Sequence, residues 1–359
     1  MKHPERILLI GTGLMGGSVG LGIARAWPTA ERLALDPVHA IQAVELGAAT
    51  RIANDADLAA VDLVVVSVPV SATAAVFGDI GPKLRAGTIV TDVGSTKASI
   101  AEAARSLLPP SIAFVGGHPM AGSELSGIEA ARADLFEGSW WVVTPTAEAD
   151  ADAVRSVLAL VTALGARSLV LDPAAHDTLV ATVSHLPQLL ASSLMRFAGE
   201  QGRDRAAIRA LAAGGFRDMT RIAASRPDIW LDICRENRDA IVSVLRAYAG
   251  DLGSVADAVE RGDVEGLRAL FEQARDARRS LPTKAGVGEI EELLIEIPDR
   301  PGALADVTTT VGELGVNIED LAITHAADGG RGVLSLFVRS DAPRATLLDA
   351  LRARGLVVR

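Results

Sequence analysis

An apolar run, RILLI at residues 6–10, passes directly into GTGLMGGSVG at residues 11–20, and this junction restricts the N-terminal part of the chain more than any other feature. A short apolar run reads as a buried strand, and the glycine-rich segment after it reads as a tight turn opening a helix. Gly11 permits the tight turn, Gly13 lets another group approach the backbone, and Gly16 lets the helix pack closely on the strand. The first helical residues, Leu14 and Met15, then offer unpaired N–H groups, the arrangement that receives a phosphate. A second apolar run at residues 32–35 ends in Asp36, roughly 20 residues beyond the glycines, where a carboxylate accepts hydrogen bonds from a ribose 2′-hydroxyl. The same carboxylate repels a 2′-phosphate. Glycines alone would suit any tight helix start, but strand, helix and acid in register point to a Rossmann-type domain that binds NAD rather than NADP.

Alternation of strands and helices continues to about residue 172, with further strands expected at 63–67, 88–91, 112–115, 141–144 and 168–171. These runs are continuously apolar, as buried parallel strands are. Ligands bind beyond the carboxyl ends of such strands. Three loops lie there: one from Ser67 to Pro69, one over 92–97, and one over 116–119 in which His118 sits in a small-residue turn. From 173 to 286 the spacing becomes helical, with helices expected over 176–199, 206–225, 229–250 and 251–281. This is an all-α domain whose apolar faces suit packing against a second copy of the chain, so a homodimer is expected. Residues 282–288 read as a linker. Residues 289–359 have the order βαββαβ, a ferredoxin-like arrangement. Three domains, 1–172, 173–286 and 289–359, fit the length of 359 residues.

Charge and cysteine content narrow the function. A net charge of −10 with no run rich in Lys or Arg argues against nucleic acid or an anionic membrane as partner. A single cysteine, Cys234, excludes an intrachain disulfide and a cysteine-cluster metal site, which fits a reducing cytoplasm. The first residues lead straight into a strand, leaving no expected signal peptide, and the longest apolar stretch, 63–70, is too short to span a bilayer.

The chemistry concentrates in few places. His118, fixed in extended backbone by Pro119, is a base of the right pKa to take a hydroxyl proton while hydride leaves the same carbon. Ser95, in DVGSTK at 92–97, suits a bond to that histidine and to a substrate hydroxyl, or equally an ordinary helix N-cap. His185 precedes a Leu-Pro pair that should kink a helix. Arg217 and Arg221, with Arg226 nearby, share one helical face and could either neutralise surface acids or grip a substrate carboxylate.

Taken together, GTGLMGGSVG at 11–20, SVP at 67–69, DVGSTK at 92–97, GHPMAGSE at 117–124, SHLP at 184–187, GGFRDMTRI at 214–222 and DRPG at 299–302 resemble the prephenate dehydrogenase family fused to a C-terminal ACT domain. The resemblance spans essentially the whole chain. It implies oxidative decarboxylation of prephenate, or of arogenate, with His118 taking the C4 hydroxyl proton, Ser95 orienting His118 and the nicotinamide, and Arg221 pairing with a substrate carboxylate. His185 becomes a substrate contact, and Ser123, Glu124, Arg217, Asp218 and Trp230 supporting positions. No metal is implied. The family commonly carries a second histidine where this chain has Gln188. The ACT-like unit implies an amino-acid effector, tyrosine first and phenylalanine second, received at the turn formed by Asp299, Arg300, Pro301 and Gly302.

Overall fold

The N-terminal apolar run forms β1 (Arg6–Ile10), in which Ile7, Leu8 and Leu9 are fully buried, so the strand has a core on each face. The structure, a computed structural model, describes residues 3–121, 125–201, 211–280, 290–298, 300–325, 331–339 and 342–358. Beside β1 lie β2 (Glu31–Leu35), β3 (Arg51–Ile52), β4 (Leu63–Val66), β5 (Ile89–Asp92), β6 (Ala113–Pro119), β7 (Trp140–Pro145) and β8 (Arg167–Val170). They form one sheet in the order β3-β2-β1-β4-β5-β6-β7-β8. Strand order reverses between β1 and β4, the place where a doubly wound sheet opens a crevice.

Six helices attend the sheet: α1 (Leu14–Ala26), α2 (Ala40–Glu45), α3 (Asp55–Leu58), α4 (Val70–Ile80), α5 (Ala98–Leu107) and α6 (Ala151–Ala163). Side chains alternate between the faces. Ile7, Leu9 and Val65 pack with Val19 and Ile23 of α1 and Val157 and Leu160 of α6. Leu8, Ile10 and Val64 pack with Phe77 and Ile80 of α4 and Ile100 of α5.

The sheet departs from the expected pattern at β6. This strand pairs in parallel with β5 only through Ala113 and Phe114, then continues against antiparallel β7, with His118 opposite Val142 and Pro119 opposite Trp141. His118 therefore stands on a strand and not in a small-residue turn. The ladder to β7 carries the backbone past the end of β5.

The helical segment begins with α7 (Pro173–Val180), capped by the Asp172 carboxylate, passes through a π-helical turn at Ala181–His185, and resumes as α8 (Leu186–Gln201). Pro187 has no N–H to give the preceding turn, and the widened π turn absorbs that loss. Then come α9 (Gly214–Thr220), a 3-10 turn at Arg221–Ala224, α10 (Pro227–Glu236), α11 (Arg238–Arg261) and α12 (Val264–Ser280). The break expected at 250/251 is absent. α11 continues to Arg261, and the turn comes at Gly262, whose φ of 63° is left-handed.

The chain divides into two compact units, residues 1–254 and 255–359. In the second, β9 (Ile290–Pro298), α13 (Ala303–Glu313), β10 (Ile318–His325), β11 (Arg331–Arg339), α14 (Arg344–Ala353) and β12 (Val357–Val358) realise the expected βαββαβ order. Their sheet is antiparallel, in the order β10-β11-β9-β12. Leu293, Ile295 and Ile297 face Val307, Val311, Leu347 and Leu351 across the core. The expected linker at 282–288 and turn at 328–330 lie outside the described residues.

Candidate active site

At the carboxyl end of β1, Gly11 has a φ of +81° and donates its N–H to Leu35 O at 3.1 Å, tying the turn to β2. A Cβ on Gly16 would lie 1.9 Å from Gly11 O, so only glycine lets α1 approach so closely. Beside Gly13, by contrast, a Cβ would meet nothing within 4 Å. What a side chain there would fill is the cradle in front of the helix N-terminus, which no side chain caps. Leu14 and Met15 are half-buried in that first turn. Ser67 Oγ, buried at the end of β4 next to Gly16, has no protein partner among the described residues. An open cradle, uncapped amides and an orphaned hydroxyl fit the pyrophosphate of NAD, and Pro69, exposed at the same edge, opens α4.

Asp36 holds this end together. Its Oδ2 accepts from Thr12 N at 2.6 Å and Thr12 Oγ1 at 3.2 Å, and its Oδ1 accepts from Val38 N at 2.7 Å and His39 N at 2.8 Å. Burial pushes its pKa up, but the three amides outweigh that and hold it below the usual carboxylate range. A ribose hydroxyl at this site would share oxygens that already accept four bonds.

The second cluster assembles around His118. Lys97 and Asp92 form an ion pair in which each side chain is 1% exposed. Lys97 Nζ also donates to Gly117 O at 2.8 Å, while Asp92 Oδ1 accepts from Gly117 N at 3.1 Å and Oδ2 from Gly94 N at 2.8 Å. The residue before His118 is thus clamped through both of its backbone groups. A buried pair of this kind adds little net stability but fixes geometry while both partners are present. His118 Nδ1 lies 2.8 Å from His176 Nε2, and His176 Nδ1 lies 2.8 Å from Asp177 Oδ1. Burial first, then the charge of Lys97, holds the His118 pKa well below its ordinary value, so the ring is neutral near pH 7.

His185 ends the π turn, 1% exposed, with its ring edge-on to Trp230 at 6.1 Å. Asn237 Nδ2 donates to Asp177 O at 2.8 Å and lies 3.2 Å from His185 Nδ1. Burial pushes the His185 pKa down to about 4, against the attraction of Asp177. Gln188, also buried, bonds Ser192 and Ser225, each at 3.4 Å, pinning the turn after Arg221 to α8.

Ser95 is half-buried between β5 and α5. It is not the helix cap: Asp177 reaches across from α7 to accept Lys97 N at 2.8 Å and Ala98 N at 2.9 Å. Nor does it bond His118, whose orienting contact comes from His176. Arg217 and Arg221 are both exposed; Arg217 Nε donates to Ala212 O at 3.0 Å, and Arg221 comes after the end of α9 at the start of the 3-10 turn. Ser123, Glu124 and Asp299 lie outside the described residues. In the C-terminal unit, Gly302 opens α13 in the left-handed region, and the Arg300 guanidinium, beside Pro301, turns to Asp306 at 2.7 Å.

Sequence reasoning missed His176, Asp177 and Asn237, and left Asp92 and Lys97 without roles. The available signal was a His-Asp pair near the start of an otherwise apolar helix.

Residues 33–170 match the family model for the prephenate dehydrogenase nucleotide-binding domain, 172–273 that for the prephenate dehydrogenase dimerization domain, and 292–355 that for the ACT domain. The chain is 31% identical to a prephenate dehydrogenase of Bacillus subtilis over 98% of its own length and 96% of the relative's. Among solved structures, prephenate dehydrogenase from Aquifex aeolicus, in complex with hydroxyphenyl propionate and NAD+, is similar with a TM-score of 0.71 at 28% identity, covering 76% of this chain and 97% of that one. Synechocystis arogenate dehydrogenase is similar with a TM-score of 0.69 at 26% identity, covering 76% and 98%. The chain therefore belongs to the prephenate dehydrogenase family of NAD-dependent oxidoreductases and carries a C-terminal ACT domain.

Proposed function

We propose that the substrate is prephenate and that His118 is the base of its oxidative decarboxylation to 4-hydroxyphenylpyruvate. The observation that carries this reading is a neutral imidazole, clamped at Gly117 and braced by His176, at the same carboxyl edge of the sheet as the cradle for NAD. NAD, when bound, accepts the hydride from C4. His118 takes the C4 hydroxyl proton as the carbonyl forms. Loss of CO2 from C1 then sends that bond's electrons into the ring, and the oxygen recovers a proton as the phenol. One hydride and one CO2 leave, with no net proton. In this reading Ser95 bonds the substrate hydroxyl, His185 contacts the substrate, and Arg221, supported by Arg217, Ser123 and Glu124, receives a carboxylate.

Arogenate is the second reading, favoured by the likeness to the Synechocystis enzyme. The test is NADH formation by purified protein offered prephenate, arogenate or a simple 3-hydroxy acid. Faster turnover of arogenate at equal concentration would reverse the assignment, and turnover of only the 3-hydroxy acid would end it.

The helical segment leaves Leu179, Val183, Phe197, Met219, Ile229 and Leu231 exposed, more apolar surface than a lone helical layer keeps, which supports a homodimer. Among the described residues no helix is long and apolar enough to cross a membrane. The match to an ACT domain supports control by an amino acid, tyrosine being the pathway product.

A further inference from the structure

We propose that His176 and Asp177 are positioning residues that set which ring nitrogen of His118 is free to act; the inference rests on the reading of His118 as base. With the His176 ring neutral, the hydrogen bonds leave one arrangement. Asp177 Oδ1 lies 2.8 Å from His176 Nδ1, and the carboxylate also accepts from the amides of Lys97 and Ala98, so His176 Nδ1 carries the hydrogen. In the neutral ring His176 Nε2 is then an acceptor, and its partner at 2.8 Å, His118 Nδ1, must donate. The lone pair of His118 is therefore on Nε2, the nitrogen not engaged by His176.

The chain of bonds has the stiffness this task needs. His176 is fully buried and Asp177 is 4% exposed, and the two histidine rings meet nearly edge to face, with centroids 5.0 Å apart and planes at 71°. Asp177 is itself held at three points: by the two amides at the start of α5 and by Asn237 at its carbonyl. Asn237 sets the other histidine in the opposite sense. Because its Nδ2 faces Asp177 O, the same amino group faces His185 Nδ1, which must accept. His185 then carries its hydrogen on Nε2. Two histidines of opposite tautomer, an acceptor and a donor, are fixed by Asp177 and Asn237 acting together. When His118 takes a proton at Nε2 it becomes an imidazolium, and the His176–Asp177 pair stabilises that charge without taking the proton itself.

The experiment uses full-length protein with 15N-labelled histidine and three variants: His176→Leu, His176→Gln and His118→Asn. Ring 15N shifts of His118, assigned by loss in His118→Asn, report its tautomer directly. The wild type is expected to show the Nδ1–H form. In His176→Leu that form should no longer dominate, and kcat should fall at least about 10-fold, short of the roughly 10⁴-fold cost of a wrong tautomer in a serine protease, with KM and NAD affinity unchanged. His176→Gln, whose carbonyl can accept from Nδ1–H, should recover part of kcat. An Nε2–H form in the wild type would overturn the proposal, and so would native kcat in His176→Leu. If His176→Leu does not fold, the His118 tautomer in the wild type and in His176→Gln decides, since the Nδ1–H form must dominate in both. Near-normal kcat in His118→Asn would instead sink the base reading, while the Nδ1–H tautomer of wild-type His118 would still stand.

Discussion

His118 accepts a proton only while it is neutral, and burial together with Lys97 keeps it so to well below pH 6.5. Replacing it with asparagine keeps a polar group of similar size but removes the base. His118→Asn should lower kcat by about 10²-fold or more with little change in NAD affinity, measured by steady-state kinetics and cofactor titration. The pH profile is set by the same shifts. kcat/KM should hold level from neutral pH down past 6.5 and fall only in the more acidic range where His118 and His185 gain protons. Stability has a related sign. An unfolded histidine titrates near 6.5, whereas folded His185 does so at about 4, so the unfolded chain binds more protons between these values. The folded protein should therefore lose stability as pH falls from 6.5 towards 4, and denaturant midpoints rising on acidification would contradict the buried, neutral ring. Arg221 and Arg217 are separable in the same way. Because the family resemblance assigns the substrate carboxylate to Arg221, Arg221→Ala should raise KM for prephenate more than Arg217→Ala does; the reverse order would exchange their roles.

Among the elements, the carboxyl end of β2 carries two duties on one side chain. We propose that Asp36 sets cofactor choice by its charge, while its oxygens also tie down the amides of Thr12, Val38 and His39. Asp36→Ala should narrow the preference for NAD over NADP, and it should also lower the melting temperature, since Thr12 is fully buried and its freed amide costs about 1 kcal/mol or more. Equal use of both cofactors by the wild type would refute the specificity argument. Much of this was legible in the residues: the glycine turn, the continuous strands and the acid are local signals that need no partner to be recognised. The run of β6 through His118 was not, because it depends on antiparallel pairing with β7, whose residues lie more than 20 positions later. Nor was the break in the helical segment: a stop is expected after Gly250, yet α11 passes through it and the turn comes at Gly262. The site divides along the same line. His118, Ser95 and His185 stand in dense motifs, whereas the contact from His118 to His176 spans 58 positions and is made by topology alone.

At the scale of the whole molecule, we propose that the join at 286–289 separates the chemistry from its control. Every proposed catalytic residue lies within residues 1–254, and the ACT match lies at 292–355, within the second compact unit. The ferredoxin-like part has its own core, in which Leu293, Ile295, Val307 and Leu351 are wholly buried. It should therefore be dispensable for turnover and required for response to an effector. A chain ending near Gly286 should oxidise prephenate at close to the full-length rate, whereas only the intact protein should be inhibited by tyrosine through a coupling of about 1–3 kcal/mol, or roughly 5- to 150-fold in affinity. The measurement is inhibition of both forms by tyrosine at fixed prephenate, with phenylalanine alongside. Because coupling is reciprocal, prephenate should weaken tyrosine binding to the intact protein by the same factor. Equal inhibition of the truncated form would mean that tyrosine competes at the active site as a product mimic, leaving the ACT domain to sense another ligand or to join two copies of the chain.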